Sequence, residues 1–376
     1  MPTSRPSGRT PRLVLLGGGH SHLRVLESLR IDEWPPVEVT LVSPAPREFY
    51  SGMVPGYLQG SYSERQLSLP IGALAHRAGA RFIPGWALRV DAVDQRVYTE
   101  ELVIDYDFLS LDIGSVPGGI ERPGVKSHAF SLRPLQRAVG LRGRVEQLGR
   151  AGGRIDVAVV GAGAGGVEVA LALHRRLREC GADPRLTLLD RGTEILPGYS
   201  DRMRERACVI LERRGVVLEL REDAVSVSAD GLRLASGEER TSQLVVWCTG
   251  AAPPPLLSDS DLPLSERGYL AVGPTLRVRD GSPIWGGGDC IDLQDLNLPK
   301  AGVYAVREGP VLAHNLRAAI AGRAERIYTP QDTFLSILNT ADGRGLLRWK
   351  RVVSHSRVAW WLKDWIDRRF MSRYRC

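Results

Sequence analysis

Two glycine-rich turns, each between an apolar run and a helix pattern, constrain this chain more than any other feature. One is Gly17-Gly18-Gly19-His20-Ser21-His22, after Leu13-Val14-Leu15-Leu16, and the other is Gly161-Ala162-Gly163-Ala164-Gly165-Gly166, after Val157-Ala158-Val159-Val160. A buried strand that turns sharply into a helix aims the first amide hydrogens, and the positive end of the helix dipole, at a pyrophosphate. Glycine permits both the turn and the close approach. Two such turns therefore predict two Rossmann-like dinucleotide-binding units.

The second turn satisfies the whole pattern, with Gly161 and Gly163 at the phosphate and Gly166 at the helix–strand contact. The next strand ends in Asp190, at the spacing at which an acid hydrogen-bonds the ribose hydroxyls of an unphosphorylated coenzyme. This carboxylate favours NADH. The neighbouring Arg191 keeps NADPH open as the alternative, because a guanidinium binds a 2′-phosphate.

The first turn departs from the pattern in two places. Gly17 and Gly19 are in place, but His22 stands where the third glycine is expected, so the helix and strand should lie slightly further apart. The next strand ends in Ser43, where a carboxylate is usual, so a nucleotide would make different ribose contacts here. His20 and His22 have no third ligand placed by the sequence, so we expect them to contact the pyrophosphate or to pack, and we predict no metal site.

A segment far along the chain assigns the first turn to FAD. The run that ends in Gly288-Asp289 is typical of a strand, and a helix pattern begins near Gly302. This order predicts Asp289 against the ribityl chain of a flavin and the helix dipole against its carbonyls, where the dipole favours negative charge. Two further strands end at Gly114 and Gly250, and we interpret them as the crossovers between the two units.

The order of these motifs predicts an α/β fold in which an NAD(P)H-binding domain is inserted into an FAD-binding domain. We place the FAD domain at residues 12–115 and 270–330, the NAD(P)H domain at 150–255, and a small C-terminal region at 331–376. Residues 1–11 are basic and contain no apolar core, so we expect a disordered tail and not a secretory signal.

The chain resembles the pyridine nucleotide-disulfide oxidoreductases, on the branch that contains type II NADH dehydrogenases and sulfide:quinone oxidoreductases. Within that branch it is most similar to the flavoprotein module associated with selenide, water dikinase. The first glycine turn and residues 49–57, 299–310 and 360–371 carry this closer match. The resemblance implies an enzyme that binds FAD and a nicotinamide coenzyme face to face.

The cysteines argue against one activity of that superfamily. A disulfide reductase needs a closely spaced cysteine pair beside the flavin, and the corresponding stretch offers Ser51 instead. We therefore expect a hydride to pass from NADH to FAD and the electrons to continue directly to a second acceptor. Scattered cysteines are typical of a reducing compartment, so we expect a cytoplasmic location; they are Cys180, Cys208, Cys248, Cys290 and Cys376.

Three residues are candidates for catalysis. The resemblance places Glu168, just after the second glycine turn, at the nicotinamide; the alternative is a charge that only stabilises the helix N-terminus. Lys300 and Tyr304 belong to the start of the helix that follows Gly288-Asp289. Lys300 would stabilise negative charge on the flavin or the acceptor, and its alternative role is a surface lysine that caps a loop.

The C-terminal run at 357–375 is typical of an amphipathic helix, with three tryptophans among basic residues. Such a helix lies among lipid headgroups, and a formal net charge of +7 favours an anionic membrane. We expect peripheral binding to the inner face of the cell membrane; the alternative is docking on the flavin domain or on a protein partner. The predicted apolar face comprises Val358, Trp361, Leu362, Trp365, Ile366 and Phe370.

A quinone or related small molecule is the expected acceptor. In the best-known relatives two glutamines line the quinone pocket, whereas Val303 and Arg307 stand at those positions here. The alternative hypothesis is a redox-sensing or partner-binding flavoprotein with slow turnover, linked to selenium or sulfur metabolism. Arginine-rich stretches fit solvated helix faces better than nucleic-acid binding, and the sequence leaves the oligomeric state open.

Overall fold

The computed structural model describes residues 8–293 and 296–375, so most of the predicted tail and Cys376 lie outside the described residues. The strands are, in chain order, β1 Arg12–Leu16, β2 Glu38–Ser43, β3 Glu48–Phe49, β4 Ser68–Leu69, β5 Arg81–Pro84, β6 Ala87–Asp91, β7 Arg96–Thr99, β8 Val103–Asp105, β9 Phe108–Leu111, β10 Val116–Pro117, β11 Ala129–Ser131, β12 Gly153–Val160, β13 Ala182–Asp190, β14 Val217–Leu220, β15 Ala224–Ser228, β16 Gly231–Leu234, β17 Glu239–Thr241, β18 Leu244–Trp247, β19 Ala251–Ala252, β20 Leu270–Val272, β21 Ile284–Gly286, β22 Ile291–Leu293, β23 Ser336–Asn339, β24 Gly345–Trp349 and β25 Val352–Ser356.

Helices lie between these strands, and short 3-10 turns occur at Ser51–Met53 and Gly288–Cys290. The helices are, in chain order, α1 His20–Ile31, α2 Val54–Leu58, α3 Glu64–Leu67, α4 Ile71–Arg77, α5 Val125–His128, α6 Arg137–Ala151, α7 Ala164–Glu179, α8 Asp201–Arg213, α9 Pro255–Ser258, α10 Gly302–Ala321 and α11 Arg357–Arg373. Among the described residues, no helix is long and apolar enough to cross a bilayer.

The first Rossmann-like unit is a parallel sheet in the order β21-β9-β1-β2-β5. Its central strand β1 is apolar and buried at Leu13, Leu15 and Leu16, as expected of a strand covered on both faces. Helices α1 and α10 pack closely, and a Cβ at Gly309 would lie 2.8 Å from Arg24 Cβ. β21 comes from late in the chain, so this unit is discontinuous in sequence.

The second unit repeats this arrangement in a parallel sheet of order β11-β18-β12-β13-β14. Helix α7 packs on β13, and α6 packs on α7 and β11. β11 and most of α6 precede residue 150, so this unit takes up more of the chain than the predicted domain at 150–255. The α/β fold with two Rossmann-like units, predicted from the glycine turns, is confirmed.

The chain crosses between the two units through a short antiparallel ladder. Val116 in β10 pairs with Ala252 in β19, directly after the two glycine-ended strands that indicated the crossovers. The amide of Gly118 also donates to the carbonyl oxygen of Gly250 at 2.7 Å. The two passages of the chain between the units are therefore held side by side.

Smaller antiparallel sheets complete the molecule, in the orders β6-β7-β8, β15-β16-β17 and β23-β24-β25. The last of these leads directly into α11, so the C-terminal region is a small sheet followed by the helix that the sequence predicted. Arg9, in the part of the predicted tail that the structure describes, forms an ion pair with Asp107 at 2.7 Å.

Candidate functional site

The backbone of the first glycine turn is fixed by contacts with the neighbouring strands β2 and β9. Gly17 has φ +87° and donates to the carbonyl oxygen of Val42 at 2.8 Å, and a Cβ on Gly17 would overlap the backbone carbonyl of Asp112. The amide of Asp112 in turn donates to the carbonyl oxygen of Leu16 at 2.8 Å. Only glycine adopts this backbone without strain and also fits the space.

The second turn is built in the same way. Gly161 has φ +109° and donates to the carbonyl oxygen of Leu189 at 2.7 Å, and its Cβ would overlap the backbone carbonyl of Cys248. The amide of Cys248 donates to the carbonyl oxygen of Val160 at 2.7 Å. A Cβ on Gly166 would overlap the Gly161 carbonyl, which explains the third glycine of the pattern. Asp112 and Cys248 therefore hold equivalent positions in the two units.

His22 replaces the third glycine in the first turn by filling the space under it. Its Nδ1 lies 2.7 Å from the carbonyl oxygen of Gly17, and its Nε2 lies 2.8 Å from Ser110 Oγ on β9. Burial lowers the pKa of His22 to about 4, so the ring is neutral at physiological pH. The imidazole thus packs between turn and sheet, one of the two roles that the sequence left open.

His20, the first residue of α1, lies in an aromatic cluster. Its ring centroid is 5.5 Å from that of Tyr50 and 5.6 Å from that of Phe370. His20 Nε2 is buried without a hydrogen-bond partner among the residues that the structure describes, and burial lowers the pKa of this imidazole. An unpaired buried nitrogen beside a glycine turn is a group that a bound molecule would satisfy.

Ser43 ends β2 as predicted, at the position where the usual pattern has a carboxylate. A carboxylate is present nearby, on Glu48. Ser43 Oγ donates to Glu48 Oε1 at 3.3 Å, and Gln136 Nε2 donates to Glu48 Oε2 at 2.8 Å. A Cβ on Gly18 would lie 3.2 Å from the Glu48 side chain, so this carboxylate borders the first turn. Burial raises the pKa of Glu48. Sequence reasoning missed Glu48 because it lies on the next strand, outside the pattern.

Asp190 holds the second turn directly. One of its oxygens accepts from the amide of Ala162 at 2.6 Å, and the other accepts from the amide of Gly192 at 2.7 Å. Gly163 faces open space, because a Cβ built on it would meet no described atom within 4 Å; the same is true of Gly250. The phosphate-facing side of this turn is therefore accessible to a ligand.

Gly288-Asp289 lies between the two units. Asp289 forms an ion pair with Arg133 at 3.0 Å and accepts from Ser115 Oγ at 3.2 Å, just after Gly114. The amide of Gly288 donates to Glu308 Oε2 at 2.6 Å. Arg133 and Glu308 were not among the candidates, since their contacts form only when the loop before α6 and the buried face of α10 meet this turn.

The start of α10 faces the segment that lacks the cysteine pair. A Cβ on Gly302, the first residue of α10, would lie 3.8 Å from Ser51 Oγ. Tyr304, two residues further on, is buried, and its ring centroid lies 5.8 Å from that of Phe334 in an edge-on arrangement. The structure therefore brings Ser51 and Gly302 together, and their role at a flavin stays a prediction.

Lys300 is held in a largely buried ion pair. Its ammonium forms an ion pair with Asp292 at 2.7 Å, donates to the carbonyl oxygen of Ile291 and lies 3.9 Å from the centre of the Tyr269 ring. The side chain is only 14% exposed, so it is not a surface lysine. Because its charge is already paired, a catalytic role would require Lys300 to leave Asp292, and that role stays a prediction.

Glu168 lies near the start of α7 and faces the C-terminal region. Glu168 Oε1 accepts from the amide of Asn339 at 2.7 Å. Burial raises the pKa of Glu168 to about 7, although the Lys363 cation lowers it. Lys363, which the sequence did not single out, forms an ion pair with Asp367 at 3.0 Å and donates to the carbonyl oxygen of Gly52 at 2.8 Å. A carboxyl that titrates near neutrality therefore lies near a buried ion pair.

Helix α11 packs against the first unit through one side and exposes the other. Phe370 stacks on Tyr50 with ring centroids 4.7 Å apart, and Tyr62 donates to Asp364 at 2.6 Å. The outer side carries Val358, Trp361 and Trp365, which are 69%, 67% and 56% exposed. The prediction that Phe370 shares one apolar face with the tryptophans is therefore wrong. Its ring lies on the inner side of α11 and packs against His20 and Tyr50.

The described cysteines are free and separate. Burial raises the pKa of Cys248 to about 12 and that of Cys290 further, so both thiols stay protonated and unreactive. In the part of the chain that the structure covers, the acidic, histidine and cysteine side chains form no group of three or more that could hold a metal ion.

The two glycine turns and the order of the strands around them agree with one family. The profile of the family described as "Pyridine nucleotide-disulphide oxidoreductase" matches residues 11–316. The chain belongs to this family. The resemblance that the sequence motifs indicated is confirmed at that level, and the closer resemblance to the module associated with selenide, water dikinase stays a prediction.

Similar proteins are named for the reduction of quinones. Demethylphylloquinone reductase from Synechocystis is 26% identical over an alignment of 330 residues that covers 83% of this chain and 80% of that protein. Type II NADH:quinone oxidoreductase from Staphylococcus saprophyticus is 23% identical over 95% of this chain and 94% of its own length. The predicted class, an oxidoreductase of the NADH dehydrogenase type, is confirmed by these relatives.

Solved structures share the fold over nearly the whole chain. The sulfide:quinone oxidoreductase from Aquifex aeolicus superimposes with a TM-score of 0.82 at 17% identity, covering 97% of this chain and 92% of that one. NDH2 from Plasmodium falciparum, solved in complex with NADH, gives a TM-score of 0.79 at 14% identity over 97% of both chains.

Proposed function

We propose that this protein is an FAD-dependent NADH:quinone oxidoreductase, with FAD at the first glycine turn and NADH at the second. The observation that carries the proposal is the pair of equivalent strand–glycine–helix units in one chain. A relative that the chain resembles along 95% of its length is named as a type II NADH:quinone oxidoreductase. When bound, FAD accepts a hydride from NADH and passes two electrons to the acceptor.

The residues present fit both dinucleotides. At the first turn, Gly17 provides the left-handed backbone, His20 Nε2 needs a partner, and Glu48 offers a carboxylate to the ribose. At the second turn, Gly163 leaves room for a pyrophosphate and Asp190 lies at the ribose position. These two turns therefore offer each dinucleotide a phosphate site and a ribose site.

The flavin ring and its ribityl chain need a further contact between the two units. Asp289 lies there, with its carboxylate held by Arg133 and by the hydroxyl of Ser115. Asp289 belongs to the short turn that follows β21, near the start of α10. Asp289 is therefore the group that we assign to the ribityl chain.

Glu168 is the residue we assign to proton transfer. Reduction of a quinone to a quinol consumes two protons along with two electrons, so a proton donor near the acceptor speeds the reaction. Glu168 titrates near neutral pH and lies near the buried Lys363–Asp367 pair. The carboxyl holds the proton, and the pair of fixed charges sets how readily it is released.

We assign membrane binding to the outer side of α11. Trp361 and Trp365 are exposed beside Arg368 and Arg369, and the guanidinium of Arg369 lies 5.4 Å from the centre of the Trp365 ring. Tryptophan and arginine at one surface suit the lipid headgroup region. We therefore place the enzyme peripherally on the inner face of the cell membrane.

Stopped-flow spectroscopy tests the proposal. NADH is mixed with the flavin-loaded protein while the flavin absorbance is followed, and the reduced protein is then mixed with a soluble quinone. Fast reduction followed by fast reoxidation supports an NADH:quinone oxidoreductase. Fast reduction with slow reoxidation by every quinone tried would instead support a redox-sensing flavoprotein. A protein that binds no flavin would refute both.

A further inference from the structure

Asp112 lies at the end of β9, and its carboxyl points into the first glycine turn. Asp112 Oδ2 accepts from the amides of Ser21 at 2.7 Å and His22 at 3.1 Å. These amides belong to the first turn of α1, the part of a Rossmann helix that binds a pyrophosphate. The carboxylate thus already occupies two of the donors that the first turn offers to a dinucleotide.

The carboxyl also fills the space that the glycines leave. A Cβ on Gly19 would overlap the Asp112 carboxyl group, and so would a Cβ on Gly288 from the other side. The second glycine of the pattern is there so that the pyrophosphate can approach the backbone. At the equivalent Gly163 a Cβ would meet no described atom within 4 Å. The two turns therefore differ at the phosphate position, although their backbones are held alike.

The difference comes from a single pair of equivalent residues. Asp112 and Cys248 follow the corresponding strands, donate to corresponding carbonyls and contact the first glycine of each turn. Cys248 is a neutral thiol that leaves the α7 amides free, whereas Asp112 carries a carboxyl group that binds the α1 amides. The second turn, which has a thiol at the equivalent position, therefore serves as an internal reference for the effect of the Asp112 carboxyl on the first turn.

The surroundings of Asp112 disfavour its ionised form. Glu308 on α10 and Asp289 in the adjacent turn face it, together with the protonated thiol of Cys290 and the neutral ring of His22. Burial and these carboxylates raise the pKa of Asp112 to about 8, although the Ser21 and His22 amides lower it. Two cations from the adjoining segments are engaged with other carboxylates, since Arg133 pairs with Asp289 and Lys300 with Asp292.

We propose that Asp112 is an internal competitor for the FAD pyrophosphate and that FAD binds to the form of the protein in which this carboxyl is protonated. A pyrophosphate beside an ionised Asp112 would put like charges together over the same amides, whereas a protonated carboxyl accepts more weakly from the amides and offers a proton to a phosphate oxygen. This inference rests on the proposed function, because it takes FAD to occupy the first turn.

The consequence is a flavin affinity that depends on pH. If only the protonated form binds, the dissociation constant for FAD rises about tenfold per pH unit above the pKa of Asp112, and binding takes up one proton there. Below that pKa the affinity is constant. NADH binding at the second turn has no such dependence, because Cys248 stays a neutral thiol over this range.

Titration of the apoprotein with FAD tests the proposal, with flavin fluorescence as the readout from about pH 6.5 to about pH 9.5. In the wild-type protein we expect the dissociation constant for FAD to be constant below the pKa of Asp112 and to rise above it. In Asp112→Asn, which cannot ionise at this position, we expect the constant not to change with pH. Glu308→Gln is the matched control: it removes a neighbouring carboxyl that does not bind the α1 amides, so it moves the midpoint to lower pH and keeps the slope. Calorimetry in buffers of different ionisation enthalpy counts the proton.

Three results would overturn the proposal: a flat wild-type profile, an Asp112→Asn profile that keeps its slope, or loss of FAD from a folded Asp112→Asn protein at every pH. Cys248→Asp adds a test in the second turn, where it should weaken NADH binding at high pH while the FAD profile is unchanged. Unchanged NADH binding in that variant would also count against the proposal. If the wild-type protein binds no FAD at any pH, the proposed function itself fails.

Discussion

At the scale of single residues, Glu168 carries the sharpest prediction about catalysis. Replacing it with glutamine keeps an acceptor for the Asn339 amide and removes the proton. We expect Glu168→Gln to slow quinone reduction by about a hundredfold, within the usual range for loss of a general acid, while reduction of the flavin by NADH keeps its rate. Stopped-flow measurement of the two half-reactions separates these effects; slowing of the NADH half-reaction alone would contradict the assignment.

The pH dependence of the same step follows from the pKa of Glu168, about 7. A proton donor acts in its protonated form, so quinone reduction should be constant below that pKa and should fall as pH rises through it. The Glu168→Gln variant should lose this dependence. Measuring the rate of flavin reoxidation by quinone against pH in both proteins provides the check.

Asp190 is the residue on which the choice of coenzyme depends. Its oxygens already accept from the amides of Ala162 and Gly192, so it shapes the turn at the position that we assign to the ribose. We expect Asp190→Ala to weaken NADH binding by about 1.5–3 kcal/mol, the usual value of a hydrogen bond to a charged group. Affinity for NADPH should fall less, because Arg191 remains. Titrations with both coenzymes test this, and an equal loss for the two would contradict it.

At the scale of elements, α11 is a helix with two different sides. A truncation before Arg357 would remove the exposed tryptophans together with Phe370 and the Lys363–Asp367 pair, so it cannot isolate lipid binding. Point variants of the exposed side can. This distinction depends on the fold, because the sequence pattern placed Phe370 on the same face as the tryptophans.

We expect the double variant Trp361→Ser and Trp365→Ser to reduce partition onto anionic vesicles by about tenfold or more, with no change in thermal stability, since both rings are exposed. Trp86→Ser is the matched control, because Trp86 is 53% exposed in a different part of the chain. Vesicle sedimentation at low ionic strength measures the effect. Binding that survives in the double variant, or is lost equally in the control, would refute a role for this side of α11.

At the scale of the whole molecule, the Lys363–Asp367 pair ties the C-terminal region to the first unit. The two side chains are 12% and 5% exposed, and Lys363 also donates to the carbonyl oxygen of Gly52 in the first unit. Burial opposes the ammonium charge, yet Asp367 and Glu168 raise the pKa of Lys363 above its ordinary value. Lys363 therefore keeps its charge and depends on Asp367 as its partner.

Removing one partner should be more damaging than removing both. We expect Lys363→Met to lower the free energy of unfolding by about 3–5 kcal/mol, because it leaves Asp367 buried and unpaired. The double variant Lys363→Met with Asp367→Leu should recover most of that loss. Denaturant unfolding followed by tryptophan fluorescence measures both. A single variant as stable as the wild type would show that the pair is not a buried charge contact.

The sequence predicted the parts of the site whose chemistry is local. A strand, a glycine turn and a helix are adjacent in the chain, so the pattern located Gly17, Gly161 and Gly166, and the glycine-ended strands indicated the crossover at β10 and β19. The spacing of hydrophobic residues likewise predicted α11. Glu48 was missed because it lies outside the motif, on the strand after Ser43, and Glu308 and Lys363 were missed because they contact residues from distant segments.

The amino-acid order by itself determined that this chain forms two dinucleotide-binding units and belongs to a family of oxidoreductases, because the required turns are encoded within a few consecutive residues. Only the tertiary structure decided which side chains contact those turns. Asp112 reaches the amides of α1 because β9 lies beside β1, and α11 places Lys363 near Glu168 because its inner side packs on the first unit. Contacts between remote segments depend on packing, which no local pattern specifies.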